Sequence, residues 1–152
     1  MSIKRITATK DNTISTAFKS NLNNRASVSN MGASDILEIF SIFGHASSGS
    51  LERARILIQF PVSEIHTLRT ASEIPASGSA SFILKMFNAE HGQTTPSGYT
   101  MSAVPLVRAW NEGEGLDMES YLDKDSSNWF SASTGTPWYN YGGDLASSEY
   151  IH

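Results

Sequence analysis

Cysteine is missing from this 152-residue sequence, which excludes disulfide staples, thiolate metal sites and a cysteine nucleophile together. Long apolar runs are missing too. The longest purely aliphatic stretch, Ile56-Leu57-Ile58, falls far short of the ~20 residues a membrane helix needs. Lys4 and Arg5 near the start are followed by no apolar h-region, so no secretory leader is expected and the chain should be made in a cytoplasm and stay soluble. Charge is sparse, 17% of residues, with 11 Lys+Arg against 15 Asp+Glu and a net charge of −4. Unfocused negative charge repels phosphate, so direct nucleic-acid contact is not expected. Internal repeats and coiled-coil heptads are also lacking.

What remains is a chain of 16.5 kDa, about the size of one domain and large enough for a packed core without staples. Its 39% hydrophobic content is lean, and the balance is made up by Ser, Thr, Asn and Gly, residues of strand faces and turns. That profile predicts an all-β protein.

Along the chain, Ile3, Ile6, Ile14 and Phe18 alternate in part around the turn-prone Lys10-Asp11-Asn12, which reads as two short strands or a strand with an extended arm. Residues 19–34 hold mostly turn formers and read as a surface loop. Ile36 to Phe43 resembles a buried strand. The clearest strand is Ala54 to Phe60, with Ile56, Ile58 and Phe60 expected on the core face until Pro61 stops the ladder. Ser63 is placed to cap a short helix running to about Ser72. A strand is expected over Ser81 to Phe87, with Phe82, Leu84 and Met86 sharing one face. Tyr99 to Trp110 reads as a further extended segment, interrupted at Pro105.

The richest stretch runs from Trp110 to Asp144. It gathers all three tryptophans, five of the eleven glycines, and the carboxylates Glu112, Glu114, Asp117, Glu119, Asp123 and Asp125. Aromatics, glycines and acids mix with little periodicity, which suggests an ordered loop system bracketed by strands. Candidate ligands for a structural Ca²⁺ are Glu114, Asp117, Asp123 and Asp125, oxygen donors that suit a hard cation. Against it, Asp123 to Asn128 lacks the glycine and the distal bidentate Glu of an EF-hand loop, and a solvated acidic loop is the simpler reading. Glu112 and Glu114 do not by spacing alone meet the demand of glycoside cleavage for two carboxylates across a sugar. His45, His66, His91 and His152 are scattered singly, and no Gly-x-Ser-x-Gly elbow occurs. An enzyme is therefore not expected. Trp110, Trp129 and Trp138, with Tyr139 and Tyr141, are candidates either for packing and subunit contact or for stacking on a glycan.

Three segments together carry a family resemblance: Arg-x-Leu-Ile-x-Phe-Pro-Val-Ser-Glu-Ile (Arg55 to Ile65), Ser-Ala-Ser-Phe-Ile-Leu-Lys-Met-Phe (Ser79 to Phe87) and Pro-Leu-Val-Arg-Ala-Trp-Asn-Glu-Gly (Pro105 to Gly113). In this order they resemble the DNRLRE-type jelly-roll domain, whose pattern is a strand of the form Arg-x-Leu-x-Phe-Asp-Leu-Ser-x-Ile, a strand Ala-x-Leu-x-Leu, and a strand ending in Trp-x-Glu. The continuation Glu-Gly-x-Gly-Leu-Asp-x-x-x-Tyr, with Asn128-Trp129 and Gly142-Gly143-Asp144, is similar to a branch of that family found in virion structural proteins of tailed phages of marine and cyanobacterial hosts.

The resemblance, over roughly residues 5–150, implies an antiparallel β-sandwich of jelly-roll type with one short helix and long loops. Residues 1–24 would be an N-terminal arm or first strands and residues 25–152 the sandwich. It further implies a virion structural protein, a capsid decoration or cement protein first and a tail, neck or fibre component next, assembled in the bacterial host cytoplasm, with a carbohydrate-binding module as the rival. Members of the branch look longer past Gly-Gly-Asp. An open sheet edge near the C-terminus is accordingly expected to be covered by a partner: a major capsid or tail subunit, or another copy, by edge-strand pairing.

Overall fold

The computed structural model describes residues 3–44, 47, 49–76, 78–92, 97–120 and 126–146. Contacts divide the chain into two compact units, the smaller made of Met1–Thr9 with Gln59–Tyr99 and the larger of Lys10–Ile58 with Thr100–His152. Residues 10–24 thus belong with the larger unit.

The described residues form five strands and one helix: β1 (Lys10–Ser15), β2 (Ser41–Phe43), β3 (Leu51–Gln59), α1 (Val62–Thr70), β4 (Ser131–Ser133) and β5 (Thr136–Pro137). The protein is β-rich with antiparallel pairing, and among the described residues these strands do not close a sandwich. One sheet has the order β1-β3-β2, the other pairs β4 with β5. β2 runs antiparallel to β3 with Ser41 opposite Arg53 and Phe43 opposite Leu51.

Several local expectations are corrected. Lys10-Asp11-Asn12 is no turn but the first half of β1. The reason is tertiary: the Asn12 side-chain amide donates to the Ser127 carbonyl (3.1 Å) and hydroxyl (2.8 Å) and accepts from the Met31 N–H (3.0 Å). A residue that favours turns by bonding its own backbone is here engaged elsewhere. Residues 19–34 are not a surface loop throughout, since Ala26, Ser27, Ser29, Asn30 and Met31 are buried.

β3 begins three residues earlier than expected, and its buried positions are Glu52, Ala54 and Leu57, whereas Phe60 is exposed. Burial along β3 does not keep a period of two, since Ala54 and Leu57 are three residues apart. Of the strand expected over Ile36 to Phe43 only β2 forms, an edge strand with all three residues exposed.

In the smaller unit, α1 starts after Pro61, which occupies the cap position without a side-chain hydrogen bond, so Ser63 is not the cap. Proline fixes φ near the helical value and suits a helix start. Glu64 in the first turn and Arg69 in the last complement the helix dipole. Lys4 forms an ion pair with Glu73. No strand forms over residues 81–87. Every residue from 81 to 90 is exposed and without regular structure, and among the described residues no neighbouring strand supplies a ladder.

Candidate functional site

The larger unit is organised by its tryptophans. Trp110, Trp129 and Trp138 are 5%, 8% and 3% exposed and cluster with Ile14, Leu57 and Ala132, with Leu106 packed alongside. The segment before Trp110 forms no regular strand; Leu106 makes a single antiparallel bridge to Leu145, and the chain bends at Val107 and Arg108. Val104, Leu106 and Arg108 turn inward between exposed neighbours, and the segment bonds to residues 144–146 through Val107 N–H to Asp144 C=O (2.9 Å) and Ala146 N–H to Pro105 C=O (2.8 Å).

Trp129 and Trp138 are tied to backbone. The Trp138 indole N–H donates to the Asn128 carbonyl (2.8 Å), and the Trp129 N–H donates to the Ser27 carbonyl (3.1 Å) while its own carbonyl accepts from Gly142 (2.7 Å). Arg55 stacks over the Trp129 ring at 5.1 Å and donates to the Gly142 carbonyl at 2.7 Å. Gly142 has φ +85°, and a Cβ there would press on both Arg55 and Trp129 at 2.8 Å, so both its conformation and the close approach demand glycine.

Buried at this level, the tryptophans offer no flat platform to a sugar. Within residues 126–146 the exposed aromatics are Tyr139 (82%), Tyr141 (65%) and Phe130, the last two meeting edge to face at 5.0 Å. Arg108 holds Tyr139 from one side, its guanidinium 3.8 Å from the ring, and pairs with the buried Asp144 at 2.9 Å, an ion pair rather than a well-aligned hydrogen bond.

The acidic segment is built into the core from one side. Asn30 is fully buried. Its side-chain carbonyl accepts the Gly115 N–H (2.9 Å) and its NH₂ donates to the Ser126 hydroxyl (2.8 Å). A Cβ on Gly113 would fall on the Asn30 amide, and one on Gly32 would fall on the Gly113 backbone. Two glycines facing inward leave Glu112, Glu114 and Leu116 outward.

Glu112 accepts the Asp11 N–H (2.8 Å). The Asp11 carboxyl is raised above the usual carboxylate range, by burial first and by the nearby Glu112 charge second. Of the Ca²⁺ candidates, Glu114 is exposed, and one oxygen of Asp117 is taken up by the N–H groups of Glu119 (2.7 Å) and Ser120 (2.8 Å). Asp123 and Asp125 lie outside the described residues. Among the described residues no three His, Asp or Glu gather as a metal site. Glu119 instead accepts hydrogen bonds from Ser20.

The arginines were not picked out by the sequence reading. Thr16, Arg25, Leu51, Arg53, Trp129 and Phe130 line a shallow groove of about 280 Å³. Arg25 donates to the carbonyls of Thr16 (2.6 Å) and Leu51 (3.0 Å) and stacks on Phe18 at 4.2 Å. The Arg55 guanidinium is pushed below its ordinary value, by burial first and then by the positive charge of Arg53. The i, i+2 pair Arg53-x-Arg55 within a strand pattern was the available signal, since such residues share a face.

No helix among the described residues is long and apolar enough to cross a membrane. No protein-family model, curated protein or solved structure matches the chain.

Proposed function

We propose that the chain is a non-enzymatic structural subunit of a tailed-phage virion, acting as a capsid decoration or cement protein, with a jelly-roll sandwich completed by strands of neighbouring subunits. One observation carries the assembly part of this reading. The segment Ser81 to Phe87 exposes Phe82 (64%), Ile83 (87%), Leu84, Met86 and Phe87 (81%). At ~150–250 Å² for an aromatic side chain, these side chains present roughly 600 Å², most of the ~800 Å² per partner of a standard interface. Exposed apolar surface on this scale is what an interaction site presents. The virion assignment rests on the resemblance of the strand and loop motifs. Contacts repeated over a shell lattice give avidity without any one strong contact.

Quantitative mass spectrometry of purified particles tests it. Copies in proportion to the major capsid subunit are expected. A handful per particle would move the chain to the tail, neck or fibre, and its absence from particles would end the virion reading.

A second reading, a module that binds host surface glycan, draws on Tyr139, Tyr141 and Phe130, aromatics open to solvent on the larger unit. It predicts specific retention on a glycan array that Tyr139→Ala abolishes, and a blank array excludes it.

A further inference from the structure

Two surfaces of the larger unit each crowd charge of one sign. The first is the arginine groove. Leu51, Arg53 and Arg55 share one face of β3, half-buried, while Glu52 and Ala54 are buried on the other. Among the described residues no carboxylate lines the groove, and the Arg53 guanidinium has neither a hydrogen bond nor an ion pair. The second surface is the ridge from Glu112 to Leu116, where the inward glycines hold Glu112, Glu114 and Leu116 outward at alternate positions. Glu114 likewise has no hydrogen-bond or ion-pair partner among the described residues.

We propose that these two surfaces meet between copies of the chain: the ridge of one copy lies in the groove of the next, Glu112 and Glu114 against Arg25 and Arg53, with Leu116 over Leu51. Charge supports it from both sides, since Glu112 and Glu114 stand exposed on the ridge while Arg25 and Arg53 line the groove. A guanidinium takes a carboxylate through two parallel hydrogen bonds. The ridge is also fixed beforehand by Asn30, so little freedom is lost on docking. Ridge and groove are different patches, so the contact is head-to-tail and builds a ring or a filament rather than a closed two-fold dimer.

This contact goes beyond the virion reading and is judged without it, by sedimentation velocity of the full chain in solution. Wild type is expected to self-associate with rising concentration and to dissociate at ~1 M salt, where the Debye length shrinks to ~3 Å. R53E alone and E114R alone are each expected to weaken association by about tenfold or more. An equimolar mixture of the two regains it, because every junction is again between opposite charges. Circular dichroism confirms that each variant is folded, and R25E replaces R53E if the latter is not. A monodisperse wild type at all concentrations, single variants that associate like wild type, or a mixture that stays dissociated would each overturn the contact. Dissociated wild type that captures an acidic peptide would assign the groove to another protein's segment instead.

Discussion

Residues 111–116 and residues 81–87 both lack regular secondary structure, yet they sit in opposite environments. The first is polar and glycine-rich, and Gly113 and Gly115 are buried against Asn30. The second is mostly apolar, and every one of its residues is exposed. Apolar content alone does not decide burial. What orders residues 111–116 is a set of satisfied backbone and amide groups, which water would otherwise claim. Among the described residues, 81–87 have no such partners.

The largest expected break in that contrast is Gly113→Ala. The added methyl has no space beside the Asn30 amide, and overpacking of a tight site costs ~1–3 kcal/mol or more. Urea unfolding should show a midpoint far below wild type. Asn30→Ala comes next. It strips the Gly115 N–H and the Ser126 hydroxyl of the bonds described above, at ~1–3 kcal/mol for a buried polar group left unmet. If its midpoint matched that of wild type, the buried amide would not be what orders the ridge.

Asp11→Asn sharpens the comparison more gently, through pH. Asp11 is raised in the folded state, so its protonated form is the one the fold favours. Its contribution is fully present below the ordinary carboxylate value of ~3.9 and is lost as pH rises through the raised folded value. Asp11→Asn should therefore be slightly stabilising at neutral pH and neutral in acid, as thermal melts at the two pH values would reveal. The smallest effect is expected for Phe87→Ser, within ~0.5 kcal/mol in stability as for other surface changes. A large loss there would mean the segment is packed in solution.

The sequence made β3 and α1 legible, because each rests on local pattern and on the nearby breaker Pro61. It also directed attention to residues 110–144, where the tryptophan cluster and the Asn30-bound ridge are found. It misread Asn12 as a turn former and Asn30 as part of a surface loop, because what buries them lies about a hundred residues away, at Ser126 and Ser127. No local window carries that information. The core face of β3 was misjudged for a related reason: Glu52 is buried with its carboxylate accepting the Phe18 N–H at 2.8 Å, and polarity alone would have put it outside.

The long reach of the Asn12 and Asn30 bonds bears on how the chain comes off the ribosome. Their partners at 126 and 127 are translated about a hundred residues later, so a nascent chain stalled before Ser126 would lack both of these bonds and two of the three members of the tryptophan cluster. Closure must wait for that segment, and contacts so distant in sequence slow folding. Until then the early strands are open to wrong partners in the crowded cell, the stage at which chaperone capture matters most.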